Sequence, residues 1–146
     1  MKVWTRIAMV LALLFVPLVA SAQYRDLDQA LGNLNRGFGS GDAQAIIAGL
    51  GDNDKVVLQF PGLADQSGPF GRDQAQYLLD GLFNRVKPTG FEQVNVGKNS
   101  SEGQYHIQAR WTIVVGGKAQ ARDLYITLRS KGGDRYTLLS VTSGSK

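Results

Sequence analysis

The stretch HIQARWTIVVGGKAQARDLYITLR, residues 106–129, decides the fold of this chain. Two runs that alternate between apolar and polar residues flank Gly116-Gly117, and two glycines between such runs are typical of a two-residue β-hairpin turn. This turn predicts that Ala109 faces Leu124 and that Arg110 faces Asp123. Since the stretch also holds the only His of the chain, its polar face is either a reaction centre or a solvated sheet surface.

The predicted register separates an apolar face from a polar face. Ile107 then faces Ile126, and Tyr105 faces Leu128. A second glycine pair, Gly132-Gly133, predicts a further hairpin in which Ile126 lies beside Leu139 and Leu124 lies beside Val141. Both turns select the same apolar face, which we expect to be buried under helices.

The polar face carries His106 beside Thr127, and Gln108 beside Tyr125. Arg110 and Asp123 are predicted to form a cross-strand ion pair, an interaction typically worth about 0.2–1 kcal/mol. A general base needs a group that orients it and a site that tunes its pKa, and His106 has neither in this register. We therefore expect a solvated sheet face, and we predict no catalytic residue.

The remaining elements predict an α+β domain in which helices cover one side of a single sheet. Asp42 is predicted to cap the second helix, and the glycines of RGFGSG fit a helix-to-helix turn better than a phosphate loop. Pro88 and Gly90 are predicted to end the third helix. The predicted order is a helix with apolar residues at 27, 31, 34 and 38, a helix AQAIIAGL, a strand KVVLQF, a loop PGLADQSGPFG, a helix with an apolar stripe over 75–86, and four antiparallel strands FEQVNVG, QYHIQARWTIVV, KAQARDLYITLRS and DRYTLLSVTS.

Residues 1–22 have the pattern of a secretory signal peptide. Lys2 and Arg6 precede an apolar run that is short for a membrane span, and Ala20-Ser21-Ala22 resembles a signal peptidase site. We expect a single mature domain over residues 23–146, in the periplasm or outside the cell; the alternative is a retained N-terminal membrane anchor. The chain has no Cys, so we expect neither a disulfide framework nor lipid attachment.

The composition disfavours several classes of protein. Removing Lys2 and Arg6 lowers the formal net charge of +4 by two, and the other basic residues are interspersed with acids, which disfavours nucleic-acid binding. One His and no Cys disfavour a zinc site of nitrogen and sulfur ligands. We predict no metal and no cofactor.

Four residues are candidates for a ligand-binding site at the open end of the sheet. Trp111 and Arg122 face each other in the predicted register, on the apolar face. Glu92 is in phase with Val94 and Val96, and Tyr77 lies beside the stripe of the third helix. The alternative interpretation is a cation–π contact of Arg122 on Trp111, a carboxylate at the rim and a Tyr hydroxyl in water.

The order of elements resembles the nuclear transport factor 2-like superfamily, in which a curved antiparallel sheet wraps around helices. GSGDAQAIIAGLGDNDKVVLQF is similar to that superfamily's helix, Gly-Asp step, short helix and first strand. GRDQAQYLLDGLFNRVKPTGFEQVNVGKNSSEGQYHIQARW, together with ARDLYITLR, is similar to a group of exported bacterial proteins known only as a domain of unknown function. The resemblance covers about residues 30–143, and it implies a cone-shaped fold that often has a pocket and often forms a homodimer through the open face of the sheet. Its catalytic members, such as ketosteroid isomerase and scytalone dehydratase, hold an acid or a His–Asp pair inside the cone.

Two functional hypotheses follow. The first is a non-catalytic exported domain that binds a small apolar ligand or an envelope protein through the mouth of the cone, with Trp111 as the main contact. The second is an isomerase, dehydratase or hydrolase acting on a small molecule, with Glu92 or Asp65 as base and Tyr77 as hydrogen-bond donor. A carboxylate in a dry pocket would favour the enzyme.

Overall fold

The computed structural model describes residues 26–99, 103–132 and 135–144. The predicted signal peptide, the predicted cleavage site before Gln23 and part of the second glycine turn lie outside these residues. The described elements, in chain order, are α1 (Leu27–Ser40), α2 (Ala43–Ile47), β1 (Lys55–Gln59), β2 (Gly68–Gly71), α3 (Arg72–Arg85), β3 (Val86–Asn99), β4 (Gln104–Val115), β5 (Lys118–Ser130) and β6 (Tyr136–Ser143).

The two N-terminal helices begin at aspartates that cap them. The Asp26 side chain accepts a hydrogen bond of 2.7 Å from the backbone N–H of Gln29, and Asp42 accepts one of 3.3 Å from Ala45. The capping role predicted for Asp42 is confirmed. α1 ends at Ser40 and is capped by Gly41, whose φ of 77° is in the left-handed region that glycine adopts without strain. α1 therefore continues through the first two glycines of the RGFGSG cluster.

α3 passes directly into β3, which corrects the predicted helix end. α3 ends at Arg85, and the next residue, Val86, already pairs with Val115 of β4. Pro88 lies inside β3, where the pairing register shifts between Pro88 and Gly90. Proline lacks a backbone N–H, so a strand tolerates it at an edge or at a bulge. β3 meets both conditions, because it is an edge strand of the sheet and its register shifts directly after Pro88.

The sheet has six strands in the order β2-β1-β6-β5-β4-β3. β3, β4, β5 and β6 pair antiparallel as predicted, whereas β1 pairs parallel to β6, so the curved sheet is mixed. β2 lies within the segment PGLADQSGPFG, which was predicted to be a loop. Phe70 of this short strand pairs with Val56 of β1.

The hairpin of β4 and β5 has the predicted register. Ala109 pairs with Leu124, Arg110 with Asp123 and Trp111 with Arg122. Gly116 and Gly117 have φ values of 58° and 80°, as a two-residue type I′ turn requires.

The register predicted for β5 and β6 is wrong. Ile126 pairs with Val141 rather than Leu139, and Leu124 pairs with Ser143 rather than Val141. The turn is longer than two residues, since the backbone N–H of Lys131 donates to the carbonyl of Arg135. The register also shifts between Thr127 and Leu128. The bulge moves Leu139 off the buried face and leaves Leu138 and Val141 in the core.

One hydrophobic core fills the space between the helices and the inner face of the sheet. Ala30, Leu34 and Phe38 of α1 and Leu79 and Leu82 of α3 are fully buried against it. Buried residues alternate with exposed or half-buried ones along β1, β4 and β5, as a sheet covered on one side requires. The buried apolar residues of β4, β5 and β6 are Ile107, Ala109, Trp111, Ile113, Leu124, Ile126, Leu128, Leu138 and Val141.

Candidate functional site

Trp111 lies at the centre of the core, so its predicted position at the mouth of a cavity is wrong. Its side chain has no exposed surface. The indole N–H donates a hydrogen bond of 2.8 Å to the backbone carbonyl of Phe38 in α1. The rings of Phe38 and Phe60 lie 5.7 and 6.1 Å from the Trp111 ring, between centroids. Aromatic side chains thus fill the interior where a ligand was expected.

Arg122 hydrogen-bonds to the segment that follows β1, at Pro61. One terminal nitrogen of its guanidinium, Nη1, donates to the carbonyl of Pro61 at 2.7 Å and to that of Gly144 at 3.4 Å. The other, Nη2, lies 3.3 Å from Oε1 of Gln120. Nε is buried and has no hydrogen-bond partner among the described residues. The guanidinium therefore holds the Pro61 segment and the carbonyl of Gly144 close to β5.

Glu92 lies on the outer face of the sheet, which corrects its predicted position at the lip of the helix-covered face. It pairs with Arg110, whose side chain is also exposed. The register of β3 shifts between Gln93 and Asn95, and Val94 at this irregularity is 59% exposed. Glu92 was assigned to the same face as Val94 and Val96 on the assumption of regular alternation, and this bulge interrupts that alternation.

Tyr77 is the most exposed of the large apolar side chains that the structure describes, at 85%. It stands on α3 between two clefts. One, of about 290 Å³, is lined by Gln66, Phe70, Asp73, Gln74 and Tyr77. The other, of about 200 Å³, is lined by Ala64, Asp65, Gln66, Tyr77, Leu78, Gly81 and Arg85. We call these two clefts together the Tyr77 groove.

The groove forms because the segment between β1 and β2 lies against α3. Leu63 is 6% exposed and belongs to the core, which anchors the segment from below. Gly81 lies one helical turn beyond Tyr77, and a Cβ at Gly81 would meet no atom within 4 Å. The missing side chain leaves room beside the Tyr77 ring.

The structure does not bring the four predicted site residues together. Trp111 and Arg122 are neighbours on two strands, but Tyr77 lies on the outside of α3 and Glu92 on the outer face of the sheet. It does place Asp65, the other carboxylate considered as a base, in one cleft with Tyr77. The sequence did not identify Gln66, Phe70 and Arg85 as groove residues. The available signal was Phe70, an aromatic residue within the Gly68-Pro69-Phe70-Gly71 segment that was predicted to be a loop.

The polar face of the hairpin is solvated, as expected. His106 and Tyr125 are exposed, and Nδ1 of His106 lies 3.2 Å from Oγ1 of Thr127. Arg110 and Asp123 face each other. The predicted ion pair between them is not among those of the described residues, which are Arg36–Asp42, Arg72–Asp52 and Lys131–Asp54.

Asp54 has the one clearly shifted pKa among the described groups, and it does not line the groove. Burial of the carboxyl raises its pKa. Hydrogen bonds from Lys131, the Gly51 N–H and Thr137, together with the positive charge of Lys131, lower it by more, so the pKa of Asp54 lies below its ordinary 3.8. The Nζ–Oδ1 distance to Lys131 is 2.5 Å. The Thr137 hydroxyl lies 3.0 Å from both the Asp54 carboxylate and the Gly49 carbonyl. This cluster fastens the turn before β1 to β6.

The described part of the chain holds no acid–base pair inside the cone. Its buried polar side chains are Thr137 and Ser143, and no carboxylate is buried. No three side chains of the His, Asp or Glu type come close enough to hold a metal ion within residues 26–99, 103–132 and 135–144. Over the same ranges, no helix has the length and apolar character that crossing a bilayer requires.

The fold is that of nuclear transport factor 2-like proteins: one from Anabaena variabilis superposes with a TM-score of 0.60 at 16% identity, over 82% of this chain and 87% of that one. A DUF4783 family protein from Bacteroides uniformis superposes with a TM-score of 0.63 at 16% identity, over 79% of this chain and 95% of that one. One from Bacteroides ovatus gives 0.60 at 19% identity, over 76% and 90% of the two chains. These likenesses show the fold alone.

Similar folds occur in other bacteria. A protein from Catenulispora acidiphila with a ketosteroid isomerase-like fold, solved in complex with trimethylamine, has a TM-score of 0.60 at 10% identity, covering 80% of this chain and 85% of that chain. The sequence matches no protein-family model and no curated protein.

Proposed function

We propose that this chain is an exported, non-catalytic domain that binds another envelope protein through the Tyr77 groove. The observation that carries the proposal is the contrast between two aromatic residues. Trp111 is fully enclosed in a filled core, whereas Tyr77 is 85% exposed between two clefts. A Tyr at the centre of a partly apolar surface is the kind of residue that contributes most to protein–protein binding.

The shape of the groove suits a segment of protein chain. The apolar surfaces of Phe70 and Leu78 lie on opposite sides of Tyr77. Both are half-buried against the core, so their positions are fixed before a partner arrives. A preformed surface loses less conformational entropy on binding than a flexible one.

The charges around the groove favour a basic partner. Asp73 borders one cleft and Asp65 the other, and Arg85 is the one cation that lines either cleft. Complementary charge speeds association and selects among partners. The expected partner segment carries an apolar or aromatic side chain next to Lys or Arg.

The filled core argues against the alternatives. A small apolar ligand inside the cone would have to displace the Phe38, Phe60 and Trp111 rings that pack there. An acid–base enzyme needs a carboxylate shielded from water, but Glu92 and Asp65 are both exposed. Asp65 lies in one cleft with Tyr77 and can contact a partner there, but this cleft does not shield its carboxylate from water.

Export rests on the pattern of residues 1–22. N-terminal sequencing of the protein from its own cells should find Gln23 in the periplasmic or extracellular fraction. Recovery of Met1 on membrane-bound protein would contradict export and support a retained anchor.

A displayed peptide library tests the binding proposal. Peptides selected on the full-length protein should carry an apolar residue beside a basic one. Tyr77→Ala should weaken their binding by about tenfold or more, equal to about 1.4 kcal/mol. Tyr125→Ala, which removes an exposed Tyr from the sheet, is the matched control and should leave affinity unchanged. Selected peptides that bind wild type and Tyr77→Ala equally would refute the proposal.

A further inference from the structure

The outer face of the sheet carries a second pocket that the partner groove does not use. Asn95, Gln108 and Tyr125 pair in one row across β3, β4 and β5. His106 and Thr127 pair in the next row, opposite Gly97. A depression of about 240 Å³ is lined by these two rows, with contributions from Ile107 and Ile126.

Two features of β3 create the depression. Gly97 places no side chain in front of His106, and a Cβ built there would find its nearest atom, the carbonyl oxygen of His106, at 4.0 Å. The register shift between Gln93 and Asn95 moves the edge strand relative to β4. The space is therefore open and could accept a side chain or a ligand without rearrangement of the sheet.

The lining is polar and holds no Lys, Arg, Asp or Glu side chain among the described residues. Two amides, a hydroxyl, an imidazole and a phenol surround the depression, and together they donate and accept hydrogen bonds in several directions. Nδ1 of the His106 ring lies within hydrogen-bond distance of Oγ1 of Thr127. Glu92, Arg110 and Asp123 pair in one row of this face that does not line the pocket. Arg129, which pairs with Gln104 in the row beyond His106 and Thr127, does not line it either. In the described part of the chain, no Lys or Arg lines it to hold a phosphate or carboxylate.

We propose that this pocket binds a neutral saccharide. Tyr125 is 49% exposed and supplies a flat aromatic surface against which the C–H face of a sugar ring packs. Asn95 and Gln108 lie beside it in the same row and hydrogen-bond to the ring hydroxyls. These three positions span two strand spacings, about 10 Å, which fits an oligosaccharide better than a single sugar.

An NMR titration of the full-length protein with cellohexaose, maltohexaose and chitohexaose tests the proposal. At least one of these neutral sugars should shift the backbone amide signals of the pocket residues. Tyr125→Ala and Gly97→Val should each weaken that binding by about tenfold or more. Valine suits an extended strand, so Gly97→Val fills the pocket and keeps the fold.

Matched variants separate this pocket from other effects. Gly90→Val adds the same side chain to the same strand beside Thr112, outside the pocket, and should bind the sugar as wild type does. Tyr77→Ala should also bind it normally, so failure of the groove and failure of this pocket are distinguishable. The proposal is wrong if no sugar binds at millimolar concentration or if the shifted amides lie elsewhere. It is equally wrong if Tyr125→Ala reduces the subunit count in native mass spectrometry while no sugar binds, because the face would then join two copies of the chain.

Discussion

The indole N–H of Trp111 donates to the carbonyl of Phe38, 73 residues earlier in the chain, at 2.8 Å. This bond joins β4 to the last turn of α1 inside the core. An unpaired buried carbonyl costs free energy, and removing an indole leaves a cavity. Trp111→Ala should therefore lower the free energy of unfolding by about 3–5 kcal/mol, measured by urea denaturation. A loss below about 0.5 kcal/mol, usual for a surface change, would show that Trp111 is not a core residue.

Leu79 and His106 test the assignment of the two sides of the sheet. Leu79 is fully buried between α3 and the sheet, so Leu79→Ala should cost about 2–5 kcal/mol of unfolding free energy. His106 is exposed, and His106→Ala should stay within about 0.5 kcal/mol of wild type. Equal losses at the two positions, measured in the same denaturation series, would overturn the assignment.

Asp54 should make stability depend on acid pH. Its pKa is lowered in the folded protein, so its contribution is present above the ordinary value of 3.8 and is lost as the pH falls through the folded-state pKa. Asp54→Asn should therefore destabilise the protein at neutral pH, and the difference from wild type should shrink below about pH 4.

The control for this pH dependence is Asp52→Asn. The Asp52 side chain is 91% exposed and reaches only Arg72, at 3.5 Å. Exposed pairs of this kind contribute little, so the variant should unfold like wild type at neutral pH. A difference between Asp54→Asn and wild type that stays constant from neutral to acid pH would contradict the role of the Asp54 carboxylate.

The hairpin of β4 and β5 was predictable because its determinants are local. Gly116 and Gly117 both have positive φ, and a two-residue turn fixes which residues pair along the whole hairpin. The turn between β5 and β6 also contains two glycines, but it is longer and is followed by a bulge at Leu139. Neither feature has a distinct local signal, so the prediction for that pair of strands was wrong.

The alternation of residues along the strands did not predict how deeply Trp111 is buried in the core. The register placed Trp111 correctly on the inner face, but whether it lines a cavity or fills it depends on Phe38 and Phe60, which come from distant parts of the chain. The Tyr77 groove was not predicted either, because its residues also come from separate parts of the chain. Tyr77 was named from the sequence, whereas Gln66 and Phe70 reach it only because β2 returns the chain to α3.

Filling the Tyr77 groove without removing a contact tests the proposed function most directly. Gly81 and Gly32 are both exposed helical glycines at which a Cβ meets no atom within 4 Å, and only Gly81 lines the groove. Gln favours a helix over Gly by roughly 0.5–1 kcal/mol, so Gly81→Gln and Gly32→Gln should both stay folded. The measurement is the Kd of a library-selected peptide for each variant. Gly81→Gln should raise it about tenfold or more and Gly32→Gln should leave it unchanged; an unchanged Kd for Gly81→Gln would contradict binding in the groove.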